Sequence, residues 1–279
     1  MRRKYFHHCQ KGFLFSVFKE TDVSSIIKNA FMSHYLSVAR EAAHVAGGLL
    51  KANFESSLNV DANEAHDIKL ELDRRSQALI ENIILSYFPD HAIYGEEGMG
   101  GNPDSDYQWI VDPIDGTVNY FYGIPHFAIS IALRHQGRIL AGVIHDPMRN
   151  EMWEAAEGDT PTLNGKPIQV STRTQLSEAI LSVGVSKTLD SINSSLPTFE
   201  RFVRSAKKCR MMGSASLDIA YVACGRLDAY IEGMISLWDI AAGLLLVELA
   251  GGKVTLTPLE GQSDKYRIVA TSGKIELGL

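Results

Sequence analysis

The sequence predicts an α/β fold in which helices and sheets are stacked in layers. Two amphipathic helical segments come first, short apolar segments typical of strands follow, and the second half alternates helices with strands. The chain has 279 residues, of which 45% are hydrophobic and 22% are charged. This composition suits one large compact unit or two closely packed lobes, and it argues against a disordered chain.

Two helices are predicted in the first third of the chain. Apolar residues recur at helical spacing from Ser33, which has the chemistry of an N-cap, to about Phe54. A second helix is predicted over residues 71–87 and ends before the Pro89-Asp90 pair, because proline cannot continue the helix.

Residues 1–31 are predicted to be a flexible N-terminal extension of a domain that comprises residues 32–279. Residues 1–19 carry five basic residues and no acidic one, together with several phenylalanines. No continuous apolar region or small-residue cleavage site marks a signal peptide. A loosely docked tail, or a start codon at Met32, is favoured over a targeting or membrane-binding element.

The other elements are predicted from apolar runs that are bounded by turn residues. Strands are expected at residues 91–94, 109–111, 127–134, 138–145, 152–156, 179–183, 227–231, 253–256 and 267–271. Helices are expected at residues 196–206, 214–222 and 237–250. Short turns at Gln136-Gly137 and Asn164-Gly165 favour antiparallel pairing of the strands beside them.

Net charge and cysteine content limit the partners and the compartment. The formal net charge is -6, which gives no electrostatic reason to expect nucleic acid as a partner. No run approaches the roughly 18 apolar residues of a membrane span. The three cysteines form no CxxC pair, and their odd number argues against a disulfide framework. The sequence therefore predicts a cytoplasmic protein without a nucleic-acid or membrane partner.

Two carboxylates are predicted to lie close together where an apolar strand ends. Asp112 follows three large apolar residues, Asp115 follows three residues later, and Gly116 permits backbone geometry closed to other residues. The backbone N–H groups of Gly116 and Thr117 could hold a phosphate oxygen. The alternative interpretation is a turn with solvated acids, which an Asp-Gly pair alone would favour.

Two further acidic segments occupy similar positions. Glu96-Glu97 lies between glycines after a short apolar strand, and Asp239 follows Trp238 at the start of a strongly apolar helix. Taken singly, a solvated loop and an N-cap explain them. Taken together, crowded carboxylates would stay partly protonated without cations, and hard oxygen ligands suit Mg²⁺.

These three segments, in this order, resemble the signatures of the inositol monophosphatase family. The signatures are G-E-E, W-(hydrophobic)₂-D-P-I-D-G-T and W-D-x-A, and the resemblance covers residue 33 to the C-terminus. It implies a layered αβαβα sandwich and Mg²⁺-dependent hydrolysis of a small phosphate monoester by a metal-activated water. It also implies a homodimer.

The resemblance further implies a set of metal ligands. Glu96, Asp112 and the backbone carbonyl of Ile114 would hold a first Mg²⁺ ion. Asp112, Asp115 and Asp239 would hold a second, with Asp112 bridging the two. Glu96 would also contribute to a third, weaker ion.

The catalytic and substrate-binding residues are likewise implied by the resemblance. Thr117 and Glu96 would orient the attacking water, and Asp73 would hydrogen-bond to the threonine. Asp228 belongs to a stretch that would face the substrate. The residues expected to contact the substrate itself are Asp115, Gly116, Thr117, Glu232 and Asp239.

The substrate implied first is myo-inositol monophosphate. Relatives with the same metal-site signatures cleave histidinol phosphate, fructose 1,6-bisphosphate or 3′-phosphoadenosine 5′-phosphate, and these stay open as alternatives. Specificity is expected to lie in the loop of residues 184–195 and around Glu232. An additional protein-binding role without catalysis is a further alternative.

Overall fold

The computed structural model describes residues 20–56, 60–64, 67–185 and 189–279, and within these ranges it has six α-helices and fifteen β-strands. The helices are α1 (Glu20–Asn53), α2 (Glu71–Tyr87), α3 (Thr117–Phe121), α4 (Leu189–Ser205), α5 (Ala215–Ala223) and α6 (Leu237–Leu249). The first ten strands are β1 (Val60–Glu64), β2 (Asp67–Leu70), β3 (Ala92–Gly95), β4 (Gly98–Gly101), β5 (Tyr107–Asp115), β6 (Ala128–His135), β7 (Arg138–Asp146), β8 (Glu151–Ala156), β9 (Thr162–Leu163) and β10 (Lys166–Pro167). The last five are β11 (Ile180–Gly184), β12 (Lys208–Arg210), β13 (Ala229–Ser236), β14 (Lys253–Pro258) and β15 (Lys265–Thr271).

Two large sheets and three helical layers alternate. The first sheet has eight strands in the order β10-β9-β8-β7-β6-β5-β3-β4, and the second has five in the order β12-β11-β13-β15-β14. Helices α1 and α2 pack against the first sheet, α5 and α6 lie between the sheets, and α4 packs against the second. The predicted αβαβα sandwich is therefore confirmed.

Each space between layers contains its own apolar cluster. Leu50 and Trp109 belong to the cluster between α1, α2 and the first sheet. Trp153 and Leu246 belong to the central cluster, and Phe202 belongs to the cluster under α4. Burying one such side chain fully stabilises the fold by about 1.5–3 kcal/mol. The central cluster fixes α6 against the first sheet, so it also fixes the acid at the start of that helix.

Helix α1 begins earlier than predicted. It starts at Glu20, so Ser33 lies inside the helix and its interpretation as an N-cap is wrong. The helical spacing in fact continues upstream of Met32 through Val23, Ile26 and Ile27. The predicted division at residue 32 falls within this helix, and residues 1–19 lie outside the described ranges.

Two further expectations need correction. Helix α4 begins at Leu189, seven residues before the predicted start at 196, and it contains Pro197. The strands are not all antiparallel, because β11 pairs in parallel with β12 and β13, and β3 pairs in parallel with β5. The two strands of each parallel pair are connected through an intervening helix or strand. The turn residues of hairpins, from which strand pairing was predicted, give no information about such connections.

Two further observations concern membrane-spanning segments and cysteines. Among the described ranges, no helix combines the length and the apolar character that crossing a bilayer requires. Cys209 and Cys224 are half-buried free thiols, as expected of packed cysteines, and Cys9 lies outside the described ranges.

Helix α6 packs closely against the first sheet at Gly142 of β7. A Cβ at this position would lie 2.9 Å from the Ala242 Cα and 3.0 Å from its carbonyl oxygen, and neither backbone atom can move alone. We expect Gly142→Ala to lower the free energy of unfolding by about 1–3 kcal/mol, because helix and sheet must separate. Denaturant unfolding measures this. Gly48→Ala in α1, with nothing within 4 Å, is the control and should be neutral or stabilising; equal losses in both variants would contradict the argument.

Candidate functional site

Three carboxylates from two elements converge at one point. Asp112 and Asp115 lie at the end of β5, and Asp239 lies in the first turn of α6. One oxygen of each side chain lies within 4.8 Å of those of the other two. The first sheet and the central helical layer thus each contribute to one acidic group, which we call the carboxylate triad.

An irregularity in β5 points its two acids toward the same place. Residues i and i+3 of a regular strand project from opposite faces of a sheet. Here Asp112 pairs with Ser130 while Asp115 pairs with Ala128, so β5 holds one more residue than β6 over this interval. Such a bulge re-aims side chains. Proline at position 113 fits the unpaired position, because it has no backbone N–H to contribute.

Asp112 has one carboxylate oxygen without a hydrogen-bond partner. Its side chain is fully buried, and Oδ1 accepts a bond of 3.0 Å from the Ile114 N–H. Its Oδ2 atom is buried and, among the described residues, unpartnered. Burial first, and then the charges of Glu96, Asp115 and Asp239, hold the pKa of Asp112 well above its usual range. A buried acid in this state fits a cation-binding role.

Asp115 is held by the start of α5. Its Oδ2 accepts hydrogen bonds from the Ser214 hydroxyl at 2.6 Å, and from the Ser216 N–H at 2.7 Å. The Ser216 hydroxyl donates to the same oxygen at 2.5 Å. Burial raises the pKa of Asp115 despite these bonds, which favour the ionised form. The two serines orient the carboxylate and were not identified from the sequence.

Asp239 takes part in the N-terminal cap of α6. Its Oδ2 accepts a hydrogen bond of 3.0 Å from the Ser236 N–H, and Ser236 caps the helix in return. Burial first, and then the charge of Asp115, raises the pKa of Asp239 to about 7. Capping and clustering are therefore both features of this residue, and the N-cap interpretation does not exclude a role as a ligand.

The donor set of the triad fits a hard divalent cation. All candidate ligands are carboxylate oxygens, and Asp112 has an unpartnered oxygen. Burial raises the pKa of all three acids, and repulsion by neighbouring carboxylates raises it further at Asp112 and Asp239. A bound cation would remove the repulsion and occupy the free oxygen. Mg²⁺ and Ca²⁺ prefer such ligands, whereas zinc sites in proteins favour histidine and cysteine.

Glu96 lies in the same cavity as the triad but is not one of the three acids whose oxygens lie within 4.8 Å of one another. It lines the same cavity, and its charge is the second largest cause of the raised pKa of Asp112. The Glu96 N–H donates to the Val111 carbonyl at 3.0 Å, and the Glu97 N–H donates to Gln77 Oε1 at 2.9 Å. Gln77, which the sequence did not single out, therefore positions this loop.

Thr117 and Asp73 meet behind the triad. The Thr117 hydroxyl lies 2.9 Å from the Ile114 carbonyl oxygen and 3.4 Å from Asp73 Oδ1, so the first contact is the stronger. Asp73 Oδ2 accepts a bond of 2.7 Å from the Leu70 N–H. Burial raises the pKa of Asp73 to about 7. The structure thus brings together the acid and the threonine that the family resemblance pairs.

Gly116 is the N-cap residue of α3 and has a left-handed conformation that favours glycine. Its φ is +93°, and a Cβ would lie 3.1 Å from the carbonyl oxygens of Gly213 and His126. Asn119 of α3 donates to the carbonyls of His126 and Met212, both at 2.9 Å. The Gly116–Thr117 segment is therefore held against the loop that precedes α5.

A cavity of about 680 Å³ opens over the triad. Glu232 of β13 lines it and accepts a hydrogen bond from the Tyr230 hydroxyl. Asp218 of α5 also belongs to the lining and is almost fully buried, and its Oδ2 accepts a bond of 2.7 Å from Ser182. Burial raises the pKa of Asp218 to about 8. This acid had no signal in the sequence, because it sits inside an apolar helical pattern.

Asp228 does not face the cavity. It is fully buried, forms an ion pair with Arg173 at 2.9 Å, and accepts a bond of 2.8 Å from the Ile180 N–H. The interpretation that placed it toward the substrate is wrong, because it lies just before β13 and ties that strand to β11. In the predicted specificity loop of 184–195, residues 186–188 lie outside the described ranges.

Comparisons with known proteins agree on one family. The model of the inositol monophosphatase family matches residues 32–276. The chain is 40% identical over 252 residues to a Pseudomonas aeruginosa protein named Nus factor SuhB, covering 87% of this chain and 93% of that one. An inositol monophosphatase structure from Anabaena is 38% identical, with a TM-score of 0.75 and coverage of 87% and 92%. A crystal structure of the extragenic suppressor protein SuhB from Bartonella henselae is 34% identical, with a TM-score of 0.80 and coverage of 86% and 95%.

Proposed function

This chain belongs to the inositol monophosphatase family, and from that premise we propose that it hydrolyses a small phosphate monoester with Mg²⁺ as cofactor. The observation that carries the proposal is the carboxylate triad, with its unpartnered Asp112 oxygen, at the base of an open cavity. A phosphatase in an acidic cavity needs a local positive charge, and a carboxylate-bound cation supplies it.

The metal ligands in this proposal are those implied by the family resemblance. Glu96, Asp112 and the Ile114 carbonyl would hold one ion, and Asp112, Asp115 and Asp239 a second, with Glu96 contributing to a third. When bound, Mg²⁺ supplies a water of lowered pKa and neutralises phosphoryl charge. Uncatalysed hydrolysis of phosphate monoesters is among the slowest reactions known, so both contributions are needed.

The chain's own residues would orient water and substrate. Thr117 and Glu96 would position the attacking water, and the contact of Asp73 with Thr117 would hold that hydroxyl in place. The Gly116 and Thr117 backbone N–H groups would bind phosphoryl oxygens. Glu232 would accept hydrogen bonds from substrate hydroxyls. Asp115 and Asp239 would also contact the substrate.

The proposed substrate is myo-inositol monophosphate. The position of Glu232 on the cavity wall supports a leaving group rich in hydroxyls, since a carboxylate accepts hydrogen bonds and donates none. We also propose a cytoplasmic homodimer in which residues 32–279 form the phosphatase domain. Histidinol phosphate, fructose 1,6-bisphosphate and 3′-phosphoadenosine 5′-phosphate are the competing substrates.

A substrate panel tests this proposal. We expect phosphate release from myo-inositol 1-phosphate to exceed release from each competitor by more than about tenfold in kcat/KM, because a substrate without the matching hydroxyl loses its hydrogen bond to Glu232. Chelation with EDTA should abolish release, and added Mg²⁺ should restore it. A tenfold preference for histidinol phosphate would show that the substrate assignment is wrong. Phosphate release that is unaffected by EDTA would show that the assignment of Mg²⁺ as cofactor is wrong.

A second candidate function is favoured by the names of relatives. Proteins 37–40% identical to this chain are named Nus factor SuhB, a name that does not describe a hydrolase. This supports a binding role that is separate from catalysis. The absence of a nucleic-acid partner rests on net charge alone and stays a prediction. Complementation of a deletion strain by the Asp112→Asn variant tests the role: rescue without phosphatase activity would establish it, and failure with normal protein levels would count against it.

A further inference from the structure

One cation lies among the described residues that line the cavity. Lys265 begins β15, where it pairs with Ser236 at the end of β13. The carboxyl groups of the same lining belong to Glu96, Asp112, Asp115, Asp218, Glu232 and Asp239. A lysine placed in such surroundings would ordinarily be expected to form an ion pair with one of them.

The Lys265 ammonium is instead held by neutral groups. Its Nζ donates a hydrogen bond of 2.6 Å to the Ser236 hydroxyl oxygen, and it lies 5.5 Å from the centre of the Trp238 ring. Lys265 forms no ion pair with any carboxylate of the described residues. Its charge is therefore not neutralised by a neighbouring carboxylate, and two of its three N–H donors remain for a ligand.

Ser236 connects this ammonium to the triad. The Ser236 N–H donates to Asp239 Oδ2 at 3.0 Å, and its side chain caps the same first turn of α6. The ammonium and the triad thus flank one part of the cavity wall. A tetrahedral oxyanion bound beside the triad would therefore lie near this ammonium.

We propose that Lys265 binds a non-bridging oxygen of the phosphoryl group, and of the inorganic phosphate formed from it. The inference rests on the proposed function in so far as it places phosphate in this cavity. Lysine recognises phosphate as a compact charge with rotatable donors, which suits an oxygen whose position shifts between substrate and product. Lys265 is a binding residue here, and it takes no proton from the reacting atoms.

The test measures binding of inorganic phosphate in the presence of Mg²⁺ by isothermal titration calorimetry. We expect Lys265→Met and Lys265→Gln to raise the Kd of phosphate about tenfold or more, since a hydrogen bond between charged groups is lost. Lys265→Arg should stay within about threefold of the wild type. Lys253→Met removes an exposed lysine from the neighbouring strand β14 and should change nothing. Lys265→Gln retains a hydrogen-bond donor toward Ser236. It therefore keeps the test valid if Lys265→Met fails to fold.

Three results would overturn the proposal. One is an unchanged phosphate Kd in a folded Lys265→Gln variant. Another is a loss of affinity for fructose 1,6-bisphosphate while the affinity for inorganic phosphate is unchanged. That result would place a second anionic group at Lys265 instead of the transferred phosphoryl group. The third is a wild-type protein that binds no phosphate in Mg²⁺. Lysine-dependent phosphate binding without hydrolysis of any substrate in the panel would, by contrast, sink the proposed function and leave this inference standing.

Discussion

Replacing Asp112 with asparagine is expected to lower kcat/KM by about a thousandfold or more while the protein stays folded. The amide can still accept the hydrogen bond from the Ile114 N–H, so the turn after β5 keeps its geometry. The position of the unpartnered Oδ2, however, becomes neutral. Removing one preorganised electrostatic group from an active site typically costs a factor of about 10²–10³, and Asp112 is proposed to serve two ions.

The same substitution should not destabilise the metal-free protein. Wild-type Asp112 is buried and its ionised form is repelled by Glu96, Asp115 and Asp239. Asparagine removes that repulsion, so the melting temperature in EDTA should equal or exceed that of the wild type at pH 8. Mg²⁺ should then raise it less than in the wild type. Asp104→Asn, an exposed loop substitution, is the control for the loss of one negative charge. Retained activity in Asp112→Asn, or unfolding in EDTA, would contradict the assignment.

The sequence allowed the triad to be predicted because local signals coincide at each of its members. Asp112 ends an apolar strand, Asp115 precedes a glycine that needs a left-handed conformation, and Asp239 begins an apolar helix. Each position requires only local information, and the family signatures place all three in one site. Helix α2 was predicted at its observed bounds for the same reason, since its apolar stripe and the proline after it are local features.

The residues that the sequence missed depend on long-range pairing. Ser214 and Ser216 reach Asp115 only because α5 packs over the end of β5, about a hundred positions earlier in the chain. Lys265 enters the cavity through the register of β15 with β13, which the alternation of a single strand does not reveal. Strand β4 (Gly98–Gly101) had no signal at all, because glycines provide no alternating side chains.

The metal-free protein is expected to lose stability as the pH rises from about 4 to 8, and Mg²⁺ should offset the part of this loss that arises in the carboxylate triad. Burial raises the pKa of Asp73 and of Asp239 to about 7, and that of Asp218 to about 8. Each folded pKa thus lies above the unfolded value of about 4. Such a group contributes its full stability below the unfolded pKa and loses it as the pH rises through the folded pKa. For Asp73 alone the shift corresponds to roughly 4 kcal/mol.

Mg²⁺ should change the slope of this dependence because it binds the ionised carboxylates. Its stabilisation should therefore be small near pH 5 and grow toward pH 8. Glu151, whose pKa is lowered chiefly by its hydrogen bond with Arg226, acts in the opposite direction and limits stability only in acid. Melting temperatures in EDTA and in Mg²⁺, measured from pH 4.5 to 8, test both predictions: the fall in metal-free stability and the growth of the Mg²⁺ stabilisation as the pH rises. Asp218→Asn should flatten the upper part of the EDTA profile while keeping the Mg²⁺ response. A metal-free protein more stable at pH 8 than at pH 5 would show that these acids are not buried as the structure places them.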